Sequence, residues 1–404
     1  MNIGVVHPTF AAIGGAELLI ARYGMYLRGL GHRVRLVTTR LDGARWPELE
    51  AEMDVQIPGW RWTDSINVSG RFRKQRSRAS RLAAELRGVD AVLAGNYPGN
   101  VAAADARDVG RRVWLCMEPA RRLYPCETFP KLAARVGMTT EREDTRLLAK
   151  ARQLFARHSG APARSLVTER LMDRDAVMRL SSIVAISEFT ASNVRRIYGR
   201  DADAIVYPTV RIVDGPRRHP GIDAAGLRVL VHSRLEWSKN IEMVLLAFAA
   251  FRARYPGAHE LHVVGTGREG DRLRKTAREH RIGAAVRFHG FLAAAELEAL
   301  YARCEMMALL PADEPFGMVY PEAAMRGLLL AGPDHGGPVE ILDGGKLGWT
   351  LDIFSPEPLA DAFAEAWRLP ATEVTRRRER TAAACCDRYG SEVTLGRTVE
   401  QLTK

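Results

Sequence analysis

The stretch DEPFGMVYPE, residues 313–322, follows a short apolar run and opens a segment with helical spacing. It places two glutamates, Glu314 and Glu322, eight positions apart. If the apolar run is a parallel strand, Glu314 lies in the loop at its carboxyl end, where open α/β sheets bind ligands. Pro321 suits the first turn of a helix, whose free N–H groups attract a phosphate. The stretch therefore predicts one carboxylate for a polyhydroxylated group, amides for a phosphate and a second carboxylate for a diol. Two solvated surface glutamates would show the same spacing.

Short apolar runs alternate with amphipathic stretches along the chain, which is typical of βα repeats around parallel sheets. The predicted strands of the first series are 2–6, 34–38, 91–93, 112–116, 183–186 and 204–206. Those of the second series are 228–232, 260–264, 286–288, 306–310 and 328–331. The predicted fold class is α/β, with two doubly wound sheets.

The chain has 404 residues with 47% hydrophobic composition, which exceeds the size of one core and predicts two domains. The Pro- and Gly-rich stretch 213–221 is the predicted linker. It separates an N-terminal domain, 1–212, from a C-terminal domain, 222–384. A C-terminal helix at about 385–404 is expected to pack back on the first domain.

Two further segments of the second domain accompany the glutamates. VHSRLEWSKN, residues 231–240, carries Arg234 and Lys239 at the end of a predicted strand, where a diphosphate needs charge neutralisation. An exposed basic loop is the alternative. VRFHGFL, residues 286–292, and GGPVE, residues 336–340, each end a strand in a glycine turn.

One motif suggests a different kind of binding site. GTGREG, residues 265–270, has the spacing of a dinucleotide-binding loop. That fold also needs an acidic residue about 20 positions further on to hold the ribose, and no carboxylate lies at 289–292. We therefore interpret these glycines as a turn beside the nucleotide site.

In this order and spacing, the segments resemble the retaining glycosyltransferases of the GT-B fold, specifically glycosyltransferase family 4, whose signature is Glu, seven residues, Glu. The resemblance implies two Rossmann-like domains facing a cleft, with the acceptor bound by the first domain, 1–212, and the nucleotide-sugar donor by the second, 222–384. It implies that Glu314 contacts the donor sugar, that Glu322 binds the nucleotide ribose, and that Arg234 and Lys239 grip the pyrophosphate. The donor-binding residues that it implies are Gly14, Gly15, Ser233, His289, Phe291, Phe316, Gly317, Met318, Val319 and Glu322.

The first domain contributes two candidate segments. Gly14 and Gly15 lie between the first strand and first helix, where glycines let backbone amides approach an anion; a tight turn is the alternative. WLCMEPARRLY, residues 114–124, resembles a family segment that has a histidine where this chain has Met117. Glu118 remains the candidate for the acceptor proton and Arg121 for acceptor binding.

The net charge of +11 is concentrated in the first half. Residues 1–200 carry 33 Lys and Arg against 20 Asp and Glu, whereas residues 201–404 carry 26 against 28. The stretch 60–87 mixes basic residues with aromatics, which suits an anionic membrane surface. Nucleic acid would satisfy the same electrostatics, and a solvated basic helix needs no partner. We expect the membrane surface and no nucleic acid, because a lipid-linked diphosphate acceptor also explains the basic half.

The five cysteines show no metal or disulfide spacing, and the N-terminal stretch, broken by His7 and Pro8, is not expected to act as a secretory signal. We expect a cytoplasmic protein, peripheral on the inner face of the plasma membrane. The predicted activity is metal-independent, retaining transfer of a hexose from a UDP- or GDP-linked sugar to a glycan or lipid-linked acceptor, in cell-envelope polysaccharide or glycolipid assembly, with no cofactor. A nucleotide-sugar epimerase, a phosphorylase-like enzyme and a non-catalytic partner subunit are the alternatives.

Overall fold

The computed structural model describes residues 1–59, 71–138, 145–159, 164–210, 222 and 225–403. The strands are β1 Asn2–Val6, β2 Arg33–Val37, β3 Asp54–Gln56, β4 Ala91–Ala94, β5 Arg111–Cys116, β6 Ser182–Ala185, β7 Ala204–Ile205, β8 Arg228–His232, β9 Glu260–Val264, β10 Val286–Gly290, β11 Met306–Ala308, β12 Leu329–Pro333 and β13 Trp349–Leu351.

The helices alternate with these strands, as βα repeats require. They are α1 Gly15–Gly29, α2 Pro47–Glu52, α3 Arg71–Ala84, α4 Gly99–Asp105, α5 Pro125–Thr128, α6 Pro130–Met138, α7 Arg146–Ser159, α8 Arg164–Arg179, α9 Glu188–Tyr198, α10 Ile241–Arg254, α11 Gly270–Glu279, α12 Ala294–Arg303, α13 Val319–Met325, α14 Pro338–Ile341, α15 Glu357–Arg368, α16 Ala371–Tyr389 and α17 Ser391–Thr403.

The strands form two parallel sheets, which confirms the predicted α/β fold class. The seven-stranded sheet has the order β3-β2-β1-β4-β5-β6-β7, and the six-stranded sheet has the order β10-β9-β8-β11-β12-β13. Central strands such as β4, AVLA, are buried along their whole length, as expected for a sheet covered on both faces. The two strands that the sequence did not predict, β3 and β13, are three-residue edge strands that are only partly buried.

Local sequence signals fix many element ends. Ser187 begins α9, and its Oγ accepts a hydrogen bond from the backbone N–H of Thr190. Gly199 ends the same helix with a left-handed φ of 68°. A serine cap at the start and a glycine just after the end are the preferred helix boundaries.

The residues group into two compact units. Unit 1 comprises Met1–Thr128, Phe155–Thr209 and Glu392–Lys404, and unit 2 comprises Phe129–Leu154 and Val210–Ser391. The segment Phe129–Leu154, which the sequence places in the N-terminal domain, thus has its contacts with the C-terminal sheet. Conversely, α17 belongs with unit 1, where Thr398 Oγ1 lies 2.7 Å from the hydroxyl of buried Tyr23. No helix within the described ranges is both long and apolar enough to cross a membrane.

Candidate functional site

The loops that follow β8 and β11 bring two predicted site residues into contact. These strands are hydrogen-bonded parallel neighbours, so their carboxyl ends share one edge of the sheet. Lys239 ends the single helical turn Trp237–Lys239 after β8, and Glu314 lies in the loop after β11. The Nζ of Lys239 lies 2.5 Å from Oε2 of Glu314, and their side chains are 19% and 17% exposed. The carboxylate expected at the sugar thus holds the ammonium expected at the diphosphate.

Backbone hydrogen bonds fix the Glu314 loop on both sides. The Ala312 N–H donates to Ser238 O at 2.8 Å, and the Gly337 N–H donates to Glu314 O at 2.8 Å. Gly336 has a φ of 89°, and a Cβ at this position would lie 2.8 Å from Glu314 O. Glycine is therefore required where the turn after β12 passes the Glu314 backbone.

Arg234 occupies an exposed position after β8. No hydrogen bond or ion pair of its guanidinium involves another residue in the described part of the chain, whereas its backbone is held tightly. A Cβ at Gly265 would lie 1.9 Å from Ser233 O, and one at Gly267 would lie 2.3 Å from Leu235 O. The glycines of GTGREG thus allow their turn to pack directly against the backbone of the Arg234 loop. Ser233 donates its hydroxyl to Arg234 O at 3.0 Å.

The remaining residues of the Glu-rich stretch surround the start of α13. Gly317 has a φ of 91°, and Met318 and Val319 are partly buried at the first turn. The ring of Phe316 is buried against Tyr389, with the ring centroids 5.3 Å apart, so only its backbone can meet a ligand. Glu322 lies in the first turn and is partly buried, and its C=O accepts a hydrogen bond from Arg326 at 2.8 Å.

At the end of β10, His289 stacks on His262 with the ring centroids 5.2 Å apart. The two rings share a hydrogen bond of 3.0 Å between His262 Nδ1 and His289 Nε2. Burial lowers the pKa of His262 to about 4 and also lowers the pKa of His289. Both imidazoles are therefore neutral near pH 7. Phe291, two residues further on, is 76% exposed.

In unit 1, the Gly14–Gly15 loop lies at the start of α1. Gly14 caps this helix with an extended backbone, φ −137° and ψ 169°. A Cβ at Gly14 would lie 2.4 Å from Oε2 of Glu17. The first turn of α1 thus holds a carboxylate beside the loop that is expected to face the donor diphosphate. This carboxylate interacts favourably with the positive end of the helix dipole.

In the segment after β5, two other predicted site residues, Glu118 and Arg121, contact each other. The guanidinium of Arg121 donates to the carboxylate of Glu118 in a very short ion pair. The neighbouring Arg122 pairs with Glu169 on α8, a carboxylate that is 1% exposed and also accepts the Tyr97 hydroxyl at 2.8 Å. The segment that carries Glu118 and Arg121 is therefore anchored to α8 through an ion pair whose carboxylate is buried and whose guanidinium is 33% exposed.

The basic stretch 60–87 is described only from residue 71 onward, so Trp60 and Trp62 lie outside the described residues. Its described part is α3, on which Arg73 and Lys74 are exposed. Arg76 pairs with Asp105 at 2.7 Å. Contact with a membrane surface through this stretch stays a prediction.

One group of residues at the edge of the six-stranded sheet was not predicted from the sequence as part of the site. Asp313, Asp334 and His335 lie beside the Glu314 loop, and Lys131 reaches them from α6. These contacts join residues about 180 to 200 positions apart, and no local pattern indicates them.

Comparison with known proteins agrees with this arrangement. The profile of "Glycosyl transferases group 1" matches residues 217–384, and the profile of "Glycosyl transferase 4-like domain" matches residues 14–209. The two matches together take in most of the chain and correspond to the two sheets.

Curated relatives match over shorter segments. A glycogen synthase of Mycobacterium tuberculosis is 34% identical over 150 residues, which is 37% of this chain and 36% of that protein. A D-inositol 3-phosphate glycosyltransferase of Corynebacterium urealyticum is 26% identical over 221 residues, 52% of each chain. A GDP-mannose-dependent alpha-(1-6)-phosphatidylinositol monomannoside mannosyltransferase of M. tuberculosis is 29% identical over 199 residues, 45% of this chain and 51% of that protein. The chain thus spans about half or less of the length of these relatives.

Solved structures match over the whole chain. Anabaena HepE in complex with UDP and glucose is 18% identical, with a TM-score of 0.70 over 100% of this chain and 99% of that chain. Sucrose-phosphate synthase of Thermosynechococcus elongatus is 14% identical, with a TM-score of 0.74 over 100% and 99% of the two chains. These likenesses show a shared GT-B fold. The two family matches, over residues 14–209 and 217–384, show that the chain belongs to the group 1, family 4-like glycosyltransferases.

Proposed function

We propose that this protein is a retaining glycosyltransferase that moves a hexose from a UDP- or GDP-linked sugar to a glycan or lipid-linked acceptor. The contact between Lys239 and Glu314 carries this proposal, because it puts a cation and a carboxylate at one point of the sheet edge. The diphosphate leaving group needs the positive charge of Lys239, and the carboxylate of Glu314 can accept hydrogen bonds from sugar hydroxyls. Exposed Arg234 supplies a second cation on the same loop as Lys239.

In the proposed mechanism, unit 2 binds the donor. Lys239 and Arg234 stabilise the negative charge that grows on the diphosphate as the glycosidic bond breaks, and stabilising developing charge in this way is commonly the largest catalytic contribution. The leaving phosphate accepts the proton of the attacking hydroxyl on the same face of the sugar. This route retains configuration and needs no strong protein base, which agrees with the pairing of Glu118 with Arg121.

The substrate classes follow from the relatives. One curated relative uses GDP-mannose and a phosphatidylinositol mannoside, and one related structure holds UDP and glucose. These names support a UDP or GDP donor, and the first supports a lipid-linked acceptor. We further propose that the transfer serves cell-envelope polysaccharide or glycolipid assembly on the cytoplasmic face of the membrane. We also propose that no metal or cofactor is needed.

The test uses water as the acceptor. The protein is incubated with UDP-glucose or GDP-mannose in the presence of EDTA, and the released sugar is followed by proton NMR before its anomers equilibrate. The α-anomer should appear first, and the matched variant Lys239→Ala should release sugar far more slowly. Release of the β-anomer first would exclude retention, and release only when a divalent ion is restored would exclude metal independence.

A further inference from the structure

Helix α6 comes from the first half of the sequence, yet it is built into the edge of the six-stranded sheet. Its first turn receives the carboxylate of Asp313: the Lys131 N–H donates to Oδ1 at 3.3 Å and the Leu132 N–H donates to Oδ2 at 3.2 Å. Asp313 therefore caps a helix that lies about 180 residues earlier in the chain. A capping carboxylate satisfies N–H groups that have no partner within the helix.

The same carboxylate is fixed from a second direction. His335, in the turn after β12, places Nε2 3.1 Å from Asp313 Oδ1. The Asp313 side chain is fully buried, and a buried carboxylate is tolerated only when it is paired and hydrogen-bonded. Asp313 also has a left-handed φ of 45°, a backbone conformation that costs free energy in residues other than glycine. Its hydrogen bonds to α6 and the contact with His335 offset that cost.

Contacts around α6 reach the other loops of this edge. The Lys131 ammonium pairs with Asp334 after β12, and lies 3.3 Å from Asp352 after β13. The ring of Phe129 lies 5.7 Å from Trp237, which opens the turn that ends at Lys239. One short segment thus contacts the loops after β8, β11, β12 and β13.

Asp313 directly precedes Glu314, the residue that holds Lys239 at 2.5 Å. We propose that Asp313 is a positioning residue for donor binding, and that α6, docked on it, is a structural part of the donor site. The cap fixes the backbone from which Glu314 projects, and Glu314 in turn orients the Lys239 ammonium. This inference rests on the proposed function, because it specifies how the same donor site is held.

The test measures nucleotide affinity by isothermal titration calorimetry with UDP and GDP, at a temperature where each variant is folded by circular dichroism. Asp313→Asn keeps a residue that tolerates a left-handed backbone but replaces one of the two acceptor oxygens by a donor. We expect the Kd of the bound nucleotide to rise about tenfold, which corresponds to about 1.4 kcal/mol, because the charge-assisted hydrogen bonds that hold the Glu314 backbone are weakened. Asp361→Asn, an exposed aspartate of α15 whose carboxylate pairs with Arg254 at 2.6 Å, is the matched control and should change the Kd less than twofold.

A merely structural Asp313 would lower the melting temperature and leave the Kd of the folded protein unchanged. That result would overturn the proposal. If Asp313→Asn does not fold, Lys131→Met provides the test. This substitution removes the ion pair of the Lys131 ammonium with Asp334, which holds α6 without involving the Asp313 carboxylate. A rise of the Kd by about threefold would support the proposal, and an unchanged Kd would refute it. If the wild-type protein binds neither nucleotide, the proposed function itself fails.

Discussion

Lys239 and Glu314 form a direct ion pair, Nζ to Oε2 at 2.5 Å, between two loops that are 75 positions apart in the sequence. Neither side chain is more than one fifth exposed. Each residue therefore fixes the position of the other, and replacing either one should change both the charge and the geometry of the predicted donor site.

Replacing Lys239 by Ala should weaken the binding of the nucleotide diphosphate by roughly 10- to 100-fold, because one charge-assisted contact of about 1.5 to 3 kcal/mol is lost. Glu314→Gln removes the charge that orients the Lys239 ammonium, so it should also weaken the binding of the nucleotide diphosphate, by about tenfold, and should in addition lose transfer activity. Calorimetry with UDP and GDP, together with the sugar-release assay, separates the two effects. Lys275→Ala removes an exposed lysine of α11 that pairs with Glu279 at 3.6 Å, and serves as the control.

Arg234→Ala should distinguish diphosphates from monophosphates. The side chain is exposed, so its loss should leave the melting temperature within about 1 °C, as expected for most surface substitutions. Affinity for UDP or GDP should fall about tenfold, whereas affinity for UMP or GMP should change much less. Arg278→Ala, at an exposed position of α11, is the control. An equal loss for both kinds of nucleotide would show that Arg234 does not contact the second phosphate.

The stability of the protein should decrease as the pH falls from about 6.5 to 4. Burial, with a smaller effect of Arg326, lowers the pKa of His232 to about 4, so the unfolded chain binds a proton in this range while the folded chain does not. The stability that depends on neutral His232 is complete above the unfolded pKa and is lost on acidification. We expect a contribution on the order of 1 to 3 kcal/mol from this residue.

Urea denaturation between pH 7 and pH 4.5 measures this effect. His232→Asn should show a shallower decline than the wild type. His280→Asn, at an exposed position, should follow the wild-type profile. Parallel profiles for all three proteins would contradict the assignment to His232.

Arg122→Ala should destabilise unit 1. The substitution leaves the Glu169 carboxylate, 1% exposed, with the Tyr97 hydroxyl but without the cation that neutralises it. Breaking such a pair by removing one partner costs about 3 kcal/mol. The double variant Arg122→Ala with Glu169→Gln should recover part of this loss in thermal denaturation, and no recovery would show that the loss arises from packing instead of charge. Arg73→Ala, exposed on α3, is the control.

The sequence was informative where the structure depends on local patterns. Buried parallel strands such as β4 and β8 are apolar runs, and glycines mark the turns in which two backbones meet, as at Gly265 and Gly336. Both glutamates of the 313–322 stretch lie in the loop and helix start that their spacing predicted.

Long-range relationships could not be predicted in this way. The contact of Asp313 with α6 joins a loop to a helix in the other half of the chain, and the pairing of Glu118 with Arg121 depends on how one irregular segment turns. The edge strands β3 and β13 are too short to show a pattern. Residue types show which groups are present, whereas the partner of each group is decided by tertiary packing.

The most direct test of the donor site is thermal unfolding of the wild type, Arg234→Ala and Glu322→Ala with UDP-, GDP-, ADP- and TDP-sugars in the absence of metal. A ligand that binds only the folded state raises the melting temperature. At a ligand concentration of 100 times its Kd, it adds about 2.7 kcal/mol to the free energy of unfolding. We predict that UDP- or GDP-sugars stabilise the wild type and that both variants lose this stabilisation. If no nucleotide sugar stabilises the wild type at saturating concentration, or if both variants are stabilised as strongly as the wild type, the assignment of the donor site is wrong.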